Sequence, residues 1–551
     1  MHLTSRAIEF LVIARVLKSE LAPSCGRAVV NCLFARSRSH HSAPPVSVDS
    51  VSEMRRLARS AAKTAVFQNR QPHPGLAFAR SAQSDASTSV DECLRAFVNH
   101  EKSGVPKGAG TDTEDGFDLG RMRRLLADIG APQTAYNTIH VSGTKGKGTT
   151  IAVLASILRA SGARIGTYKS PHVYTVAERI RVNDETSSEK VLHLLKELEA
   201  RINLAQEREN GKLSYFEVLT ALAYAHFARE KIDLALVEVG LGGSRDATNV
   251  LSPENLEAAV VTHVGEEHLD ALGGSIEGIV EAKAGIAHAE RPVFVAPNVD
   301  SRVNRLLIQA LRSRKANIVD QVRADVRLVG YTDKNNGGSV LAQRVDVDIE
   351  MDGKVDATLN GVKVPLLGPH QRENISLALR VLWWLRSQGS IKVSVDDIRT
   401  GLESTYSPGN FEKFAAPVPG VDLIADGAHT TGSARVLVET LREVYPGREF
   451  SFVVAMADDK DHGGFLRELC EAKPVSIVCT QMEVAGGSSR TTEAKLLAGA
   501  FDPSWSAPTP EVVANFDEAL RKACERSDAK TVVVVTGSLY TFKALKKSLL
   551  V

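Results

Sequence analysis

The sequence predicts an α/β protein in which a large first domain on a doubly wound, mostly parallel sheet is followed by a second, Rossmann-like α/β domain. Three observations predict it. A β-branched run, Thr138–Val141, enters a loop with three glycines and two lysines in six residues and leaves it as an apolar helical segment, 151–160. Apolar strands then alternate with helical segments up to about residue 296, with glycine turns between them. The same alternation restarts beyond a Ser-Thr-Tyr-Ser-Pro-Gly-Asn stretch at 404–410.

The bulk numbers set the frame. At 551 residues the chain is long enough for several domains, each with its own core. Its 67 basic and 66 acidic residues leave a net charge of +1, so no global field argues for nucleic acid or an anionic membrane. The apolar runs are too short to cross a bilayer. Cys25, Cys32, Cys93, Cys470, Cys479 and Cys524 lack metal-type spacing, which points to free thiols in a reducing compartment.

Residues 1–80 hold twelve Lys and Arg against four Asp and Glu, with many Ser and Ala. An acid-poor, Arg- and Ser-rich start of this kind fits an organelle transit segment, mitochondrial or plastid; a plain tail on a cytosolic protein is the alternative. Residues 1–90 are therefore set apart as leader, with ordered chain expected from Asp91. The expected first domain is 91–403 and the second 404–551.

Leu119–Leu126 gives a helix with a basic face. After the Gly-rich loop, strands are expected at 163–168, 233–239, 258–264 and 292–296. Helices are expected over Val191–Ile202, Tyr215–Arg229 and Ile276–His288, from the recurrence of apolar residues at helical spacing. Residues 316–366 change character: 345–349 alternates with period two, and Asp352-Gly353 and Asn360-Gly361 are hairpin signals, so a small antiparallel excursion is expected. In the second domain, strands at 421–425, 450–455, 476–479 and 531–535 are separated by helices, with two helices between the last two strands.

The loop Gly143-Thr-Lys-Gly-Lys-Gly148 is the order of a phosphate cradle. Its glycines let backbone N–H groups turn inward, the helix N-terminus adds partial positive charge, and a lysine reaches a polyphosphate. The standard pattern is imperfect: Val141 stands where the first glycine is due, and the hydroxyl comes one place late, at Thr149. A glycine turn with solvated lysines is the plain alternative. Glu238 ends a strand before Gly240-Leu-Gly-Gly243, where a carboxylate suits Mg²⁺; a structural ion pair is the alternative. His268, Asp426 and His429 also follow strands, and each could instead satisfy its own turn. Lys283 lies among small residues, where burial would lower its pKa.

Taken together, these pieces resemble the folylpolyglutamate synthase / dihydrofolate synthase family of ATP-dependent Mur-type ligases, over about 100–551. The anchors are the phosphate loop, Ser170-Pro-His172 with Glu178-Arg179-Ile180, Phe216-Glu217 and Glu238-Val-Gly-Leu-Gly-Gly243. They continue with Asp246-Ala-Thr-Asn249, Lys283-Ala-Gly-Ile286, His370-Gln371 with Asn374, and Asp426-Gly-Ala-His429. Gly-Gly-Ser-Arg-Asp-Ala-Thr-Asn, Gly-Glu-Glu-His and the closing Val535-Thr-Gly-Ser-Leu539 look most like the plant mitochondrial dihydrofolate synthetases.

The resemblance implies a Mur-ligase-like ATPase domain and the following roles. Thr144, Lys145, Gly146, Lys147, Gly148 and Thr149 would hold the ATP phosphates, with Asn374, Asn410 and Asp426 also touching ATP. Ser170, Glu238 and His268 would hold two Mg²⁺ ions, with a monovalent cation such as K⁺ as an accessory. Lys147, Lys283 and His429 would serve catalysis, Lys283 as a carbamate. Ser214, Tyr215, Phe216, Glu217, Arg245, Asp246 and Ala247 would contact the pterin substrate. The implied reaction joins L-glutamate to dihydropteroate through an acyl phosphate, in a monomer without nucleic-acid or membrane partners. Extension of tetrahydrofolate by γ-linked glutamate is the alternative. The chain departs from the family pattern at Lys145, Lys169, Ser244 and Asn410. Loss of arginine at the last two leaves room for a nucleotide-binding regulator without catalysis.

Overall fold

The computed structural model describes residues 89–549, apart from 114–115, 187, 299, 333–340 and 485–489. The leader expected at 1–90 therefore falls, but for its last two residues, outside the described residues. The described chain opens on Ser89, which caps a short helical turn, Val90–Cys93.

The first sheet has eight strands, in the order β4-β3-β2-β5-β1-β6-β7-β8. These are β1 Asn137–Ser142, β2 Ile165–Tyr168, β3 Ile180–Val182, β4 Glu185–Thr186, β5 Leu234–Glu238, β6 Leu256–Val261, β7 Pro292–Val295 and β8 Asn317–Ile318. All pairings are parallel except those of β3 with β2 and with β4. Central strands buried on both faces read as apolar runs, as Leu234–Val237 does before Glu238. Helices cover both faces: α1 Leu119–Asp128, α2 Lys147–Ala160, α3 Ser188–Arg208, α4 Tyr215–Glu230, α5 Ile276–Ala284 and α6 Ser301–Ser313. The register sets Val141 of β1 opposite Glu238 of β5 and Val260 of β6. The loops after β1, β5 and β6 thus leave at one carboxyl edge, where such sheets hold ligands.

The expected antiparallel excursion is a three-stranded sheet, β9 Val322–Tyr331, β10 Gln343–Met351 and β11 Lys354–Val364. Asp352-Gly353 is its hairpin turn. Asn360-Gly361 is not: it lies inside β11, where the register slips between Val345 and Val347 of the partner strand. Gly361 takes φ 64°, and its N–H donates to Asp346 Oδ1 at 2.8 Å, so this pair forms a bulge. Helices α7 Pro369–Ser387 and α8 Val395–Ser404 complete this domain by packing on α2 and the small sheet.

The second domain has six strands in the order β12-β13-β17-β14-β15-β16. They are β12 Glu412–Ala415, β13 Asp422–Ala425, β14 Glu449–Val454, β15 Ser476–Gln481, β16 Glu511–Asn515 and β17 Thr531–Thr536. Only β12 is antiparallel. Its helices are α9 Thr431–Val444, α10 His462–Glu471, α11 Ala494–Gly499, α12 Phe516–Glu525 and α13 Thr541–Leu549. Between β15 and β17 the sequence reading gave two helices alone. The structure inserts β16 between them, an edge strand with mostly exposed side chains and hence no apolar run to announce it.

Candidate active site

The phosphate loop is held by backbone pairing to the segment after β6. Thr144 N–H donates to His263 O at 2.7 Å, and Thr144 Oγ1 donates to Gly265 O at 3.0 Å. Buried Thr262 donates from Oγ1 to Lys145 O at 2.7 Å. Gly146 precedes α2 at φ 90°, and a methyl there would stand 2.2 Å from Asn374 Oδ1 on α7. Any larger residue would both strain the backbone and fill the cradle. Thr149 and Thr150 are buried in the first turn of α2.

Two ammonium groups converge on one carbonyl. Lys147 Nζ donates to Gly143 O at 3.1 Å, and Lys283 Nζ, from α5, donates to the same oxygen at 2.9 Å. Lys147 also lies 3.8 Å from Glu238 Oε1, and Ser170 N–H donates to Glu238 Oε2 at 3.3 Å. Glu238 is 5 % exposed and Lys283 4 %. Burial pushes the Glu238 carboxyl above its ordinary value, opposed by Lys147 and Lys169. Burial, with Lys147 nearby, pushes Lys283 down to about 7. Two cations and one carboxylate make a hollow with excess positive character, suited to a polyanion.

His268 follows β6 at φ 55°, exposed at the rim. Desolvation beside the loop holds its ring below the ordinary histidine value, with Glu267 opposing and Lys460, Lys283 and Lys147 assisting. Such lowering keeps the imidazole in the neutral form a metal requires. Among the described residues, no three His, Cys, Asp or Glu side chains converge into a closed cation cage. Glu238 and His268 as separate ligands fit Mg²⁺, which keeps waters and draws further oxygens from phosphates.

The second domain faces this loop. Asp426 accepts N–H bonds from Phe411 and Ala428, both at 2.9 Å, and burial raises it to about 6. His429 Nδ1 lies 2.8 Å from Gly427 O; burial and then Lys145 push it down to about 4. Lys145 is paired with Glu267 at 2.5 Å. Asn410 turns back on its own turn, donating to Ser407 Oγ at 3.1 Å. In this conformation its amide serves the joint between domains rather than a ligand.

The residues expected to meet the acceptor divide. Phe216 packs over Gly240 and, ring to ring, 5.9 Å from Tyr168. Ala247 is half-buried, and Arg245 pairs with Asp112 at 2.6 Å on the segment before α1. Ser214 and Glu217 instead form the capping box of α4, and Glu217 binds Arg121 at 2.8 Å. Tyr215 is buried, its hydroxyl donating to Asp91 at 3.0 Å. Asp246 is 4 % exposed and accepts from Leu241 N–H, Thr248 N–H and the Thr248 hydroxyl. In this conformation helix capping, the Asp91 bond and turn closure engage the polar groups of Ser214, Tyr215, Glu217 and Asp246.

Glu267, Thr262 and Lys460 were missed. Glu267 sits within the Gly-Glu-Glu-His run that drew notice for His268 alone. Lys460, in an Asp-Asp-Lys-Asp run, reads as a solvated charge.

Known proteins share this order of domains and this fold. The chain matches the Mur ligase middle domain over residues 141–382 and the Mur ligase glutamate ligase domain over 411–539. It is 30 % identical over 456 residues to the dihydrofolate synthase/folylpolyglutamate synthase of Mycobacterium tuberculosis, covering 78 % of this chain and 89 % of that protein. Escherichia coli FolC in complex with DHPP and ADP superposes with TM-score 0.67 at 25 % identity, covering 85 % of this chain and 99 % of that one. The Yersinia pestis bifunctional enzyme complexed with AMPPNP and Mn ion gives TM-score 0.63 at 27 % identity, over 80 % and 95 % of the two chains. Two sheets joined at 404–410, a lysine-lined glycine loop and relatives matched along nearly their whole length make this chain a member of the dihydrofolate synthase/folylpolyglutamate synthase family of ATP-dependent Mur-type ligases.

Proposed function

We propose that the protein is a dihydrofolate synthase, which uses ATP to join the amine of L-glutamate to the carboxylate of 7,8-dihydropteroate. The observation that carries the chemistry is the convergence of Lys147 and Lys283 on Gly143 O beside buried Glu238. Loop N–H groups and the start of α2 bind the phosphates, and Lys147 moves from the carbonyl onto phosphate oxygens as the γ-phosphoryl group passes to the pteroate carboxylate. Ser170, Glu238 and His268 would hold Mg²⁺, whose chemistry there is neutralising charge on the phosphates. Asp426 and His429 close the second domain over the loop and exclude water, protecting the acyl phosphate until the glutamate amine attacks and phosphate leaves. A Lys283 deprotonated near neutral pH is the form that carbamate formation needs, which supports that modification.

Dihydropteroate is preferred over tetrahydrofolate because of the Ser244-Arg-Asp246 and Glu266-Glu-His268 runs. Polyglutamylation is the second reading, favoured by relatives that carry both names. The reading as a silent nucleotide binder, drawn from Asn410 and Ser244, gives way to membership of a ligase family with both loop lysines in place. The basic, acid-poor leader supports a mitochondrial address, to be tested by fusing residues 1–90 to a fluorescent protein. Mass spectrometry of the product from dihydropteroate, glutamate and ATP tests the reaction. Gain of one glutamyl residue supports it; ATP hydrolysis without glutamate incorporation sinks it.

A further inference from the structure

The segment Ser170–Thr175, which follows β2, belongs in sequence to the first domain but is seated in the core of the second. Val173 is 4 % exposed and packs in the cluster of Leu423, Ala425, Val533, Val535 and Phe542. Tyr174 lies against the same cluster, with Lys546 Nζ of α13 4.9 Å from its ring centre. At the joint, a methyl on Gly409 would come within 2.3 Å of Leu539 Cδ1 and 3.9 Å of Val173 Cγ2, so this seat is closely filled.

The same loop is rigid within itself. Glu178 accepts the N–H groups of Val173, Tyr174 and Thr175 at 3.1, 3.0 and 2.7 Å. Arg179, 2 % exposed, donates from Nε to His172 Nδ1 at 3.0 Å and makes a two-pronged pair with Glu101 at 2.6 Å on each arm. Glu101 O in turn accepts from Arg490 of the second domain at 3.1 Å. At its other end the loop places Ser170 N–H on Glu238. A shift of the second domain at Val173 is therefore passed towards Ser170 through His172, which Arg179 holds, and Pro171.

We propose that this loop couples seating of the second domain to the position of Ser170 against Glu238, with Val173 as the positioning residue. The proposal depends on the ligase reading only for its kinetic readout. The test compares wild type with Val173→Ala, Val173→Ile and Val513→Ala, the last a truncation in the same core on β16, away from the loop. Hydrogen exchange is followed on the peptide spanning 169–182 in the protein without ligands. Val173→Ala should speed exchange there about tenfold, whereas Val173→Ile and Val513→Ala leave it near wild type. In ligation assays Val173→Ala should lower kcat about tenfold with KM for ATP within about twofold, and Val173→Ile should restore it. Wild-type exchange at 169–182 in Val173→Ala, or the same change in Val513→Ala, would overturn the coupling. Absence of ligation by wild type would remove the ligase reading while the exchange result still decides the coupling.

Discussion

Lys283 Nζ lies 2.9 Å from Gly143 O, tying a buried lysine of α5 to the first glycine of the phosphate loop. The bond places an amine whose pKa is brought down to about 7, by burial and by Lys147, inside the phosphate hollow. Its ordinary value is 10.5, so between about 7 and 10.5 the unfolded chain binds more protons than the folded one. Stability from this site must then rise with pH through that window. Urea unfolding of wild type and Lys283→Met at pH 7 and pH 9 should show the difference shifting in favour of wild type at the higher pH, by up to about 2 kcal/mol. Parallel behaviour of the two proteins would contradict it.

Lys147 is half-buried and held by carbonyls of its own loop, so its removal leaves the core untouched. Lys147→Ala should lower kcat/KM on the order of a hundred- to a thousandfold, with an unfolding midpoint close to wild type. A loss of folding in step with activity would make the lysine a structural residue.

Asp426 works with the opposite sign. Its folded value of about 6 exceeds the ordinary 3.8, because burial outweighs two N–H bonds. Its contribution is full below about pH 4 and lost as pH rises through about 6. The stability advantage of wild type over Asp426→Asn should therefore shrink between pH 4 and pH 7 in denaturant titrations. An advantage that grows over this range would show the carboxyl to be stabilised as its anion.

Phe216 lies so close over Gly240 that a methyl there would come within 2.6 Å of its ring. Gly240→Ala should tip the ring and raise KM for the pterin acceptor about tenfold, leaving KM for ATP near wild type. Equal changes in both constants would place Phe216 outside the acceptor pocket.

Much of this architecture is legible in the sequence because it is local. Thr531–Val535 and Leu234–Val237 announce buried parallel strands through composition alone. The glycine loop announces itself through spacing. The helices α6, α7 and α8 lie outside the sequence expectation. Side-chain allegiance was harder to read. Ser214 and Glu217 have capping-box spacing, and the structure closes that box at the start of α4. Arg179 with Glu101 and Val173 with Val533 are contacts between distant parts of the chain, invisible to any window of sequence. Asn360-Gly361 carries a hairpin signal, but Asp346 across the sheet makes it a bulge.

The acceptor separates the two ligase readings, and the measurement that decides between them is ADP release with ATP, Mg²⁺ and L-glutamate by a chain starting near Ser89. Dihydropteroate and tetrahydrofolate are compared as acceptors, with Lys147→Ala as control. Glutamate-dependent turnover on dihydropteroate is expected, abolished in the control. Turnover on tetrahydrofolate alone would contradict it and make the protein a polyglutamylating ligase.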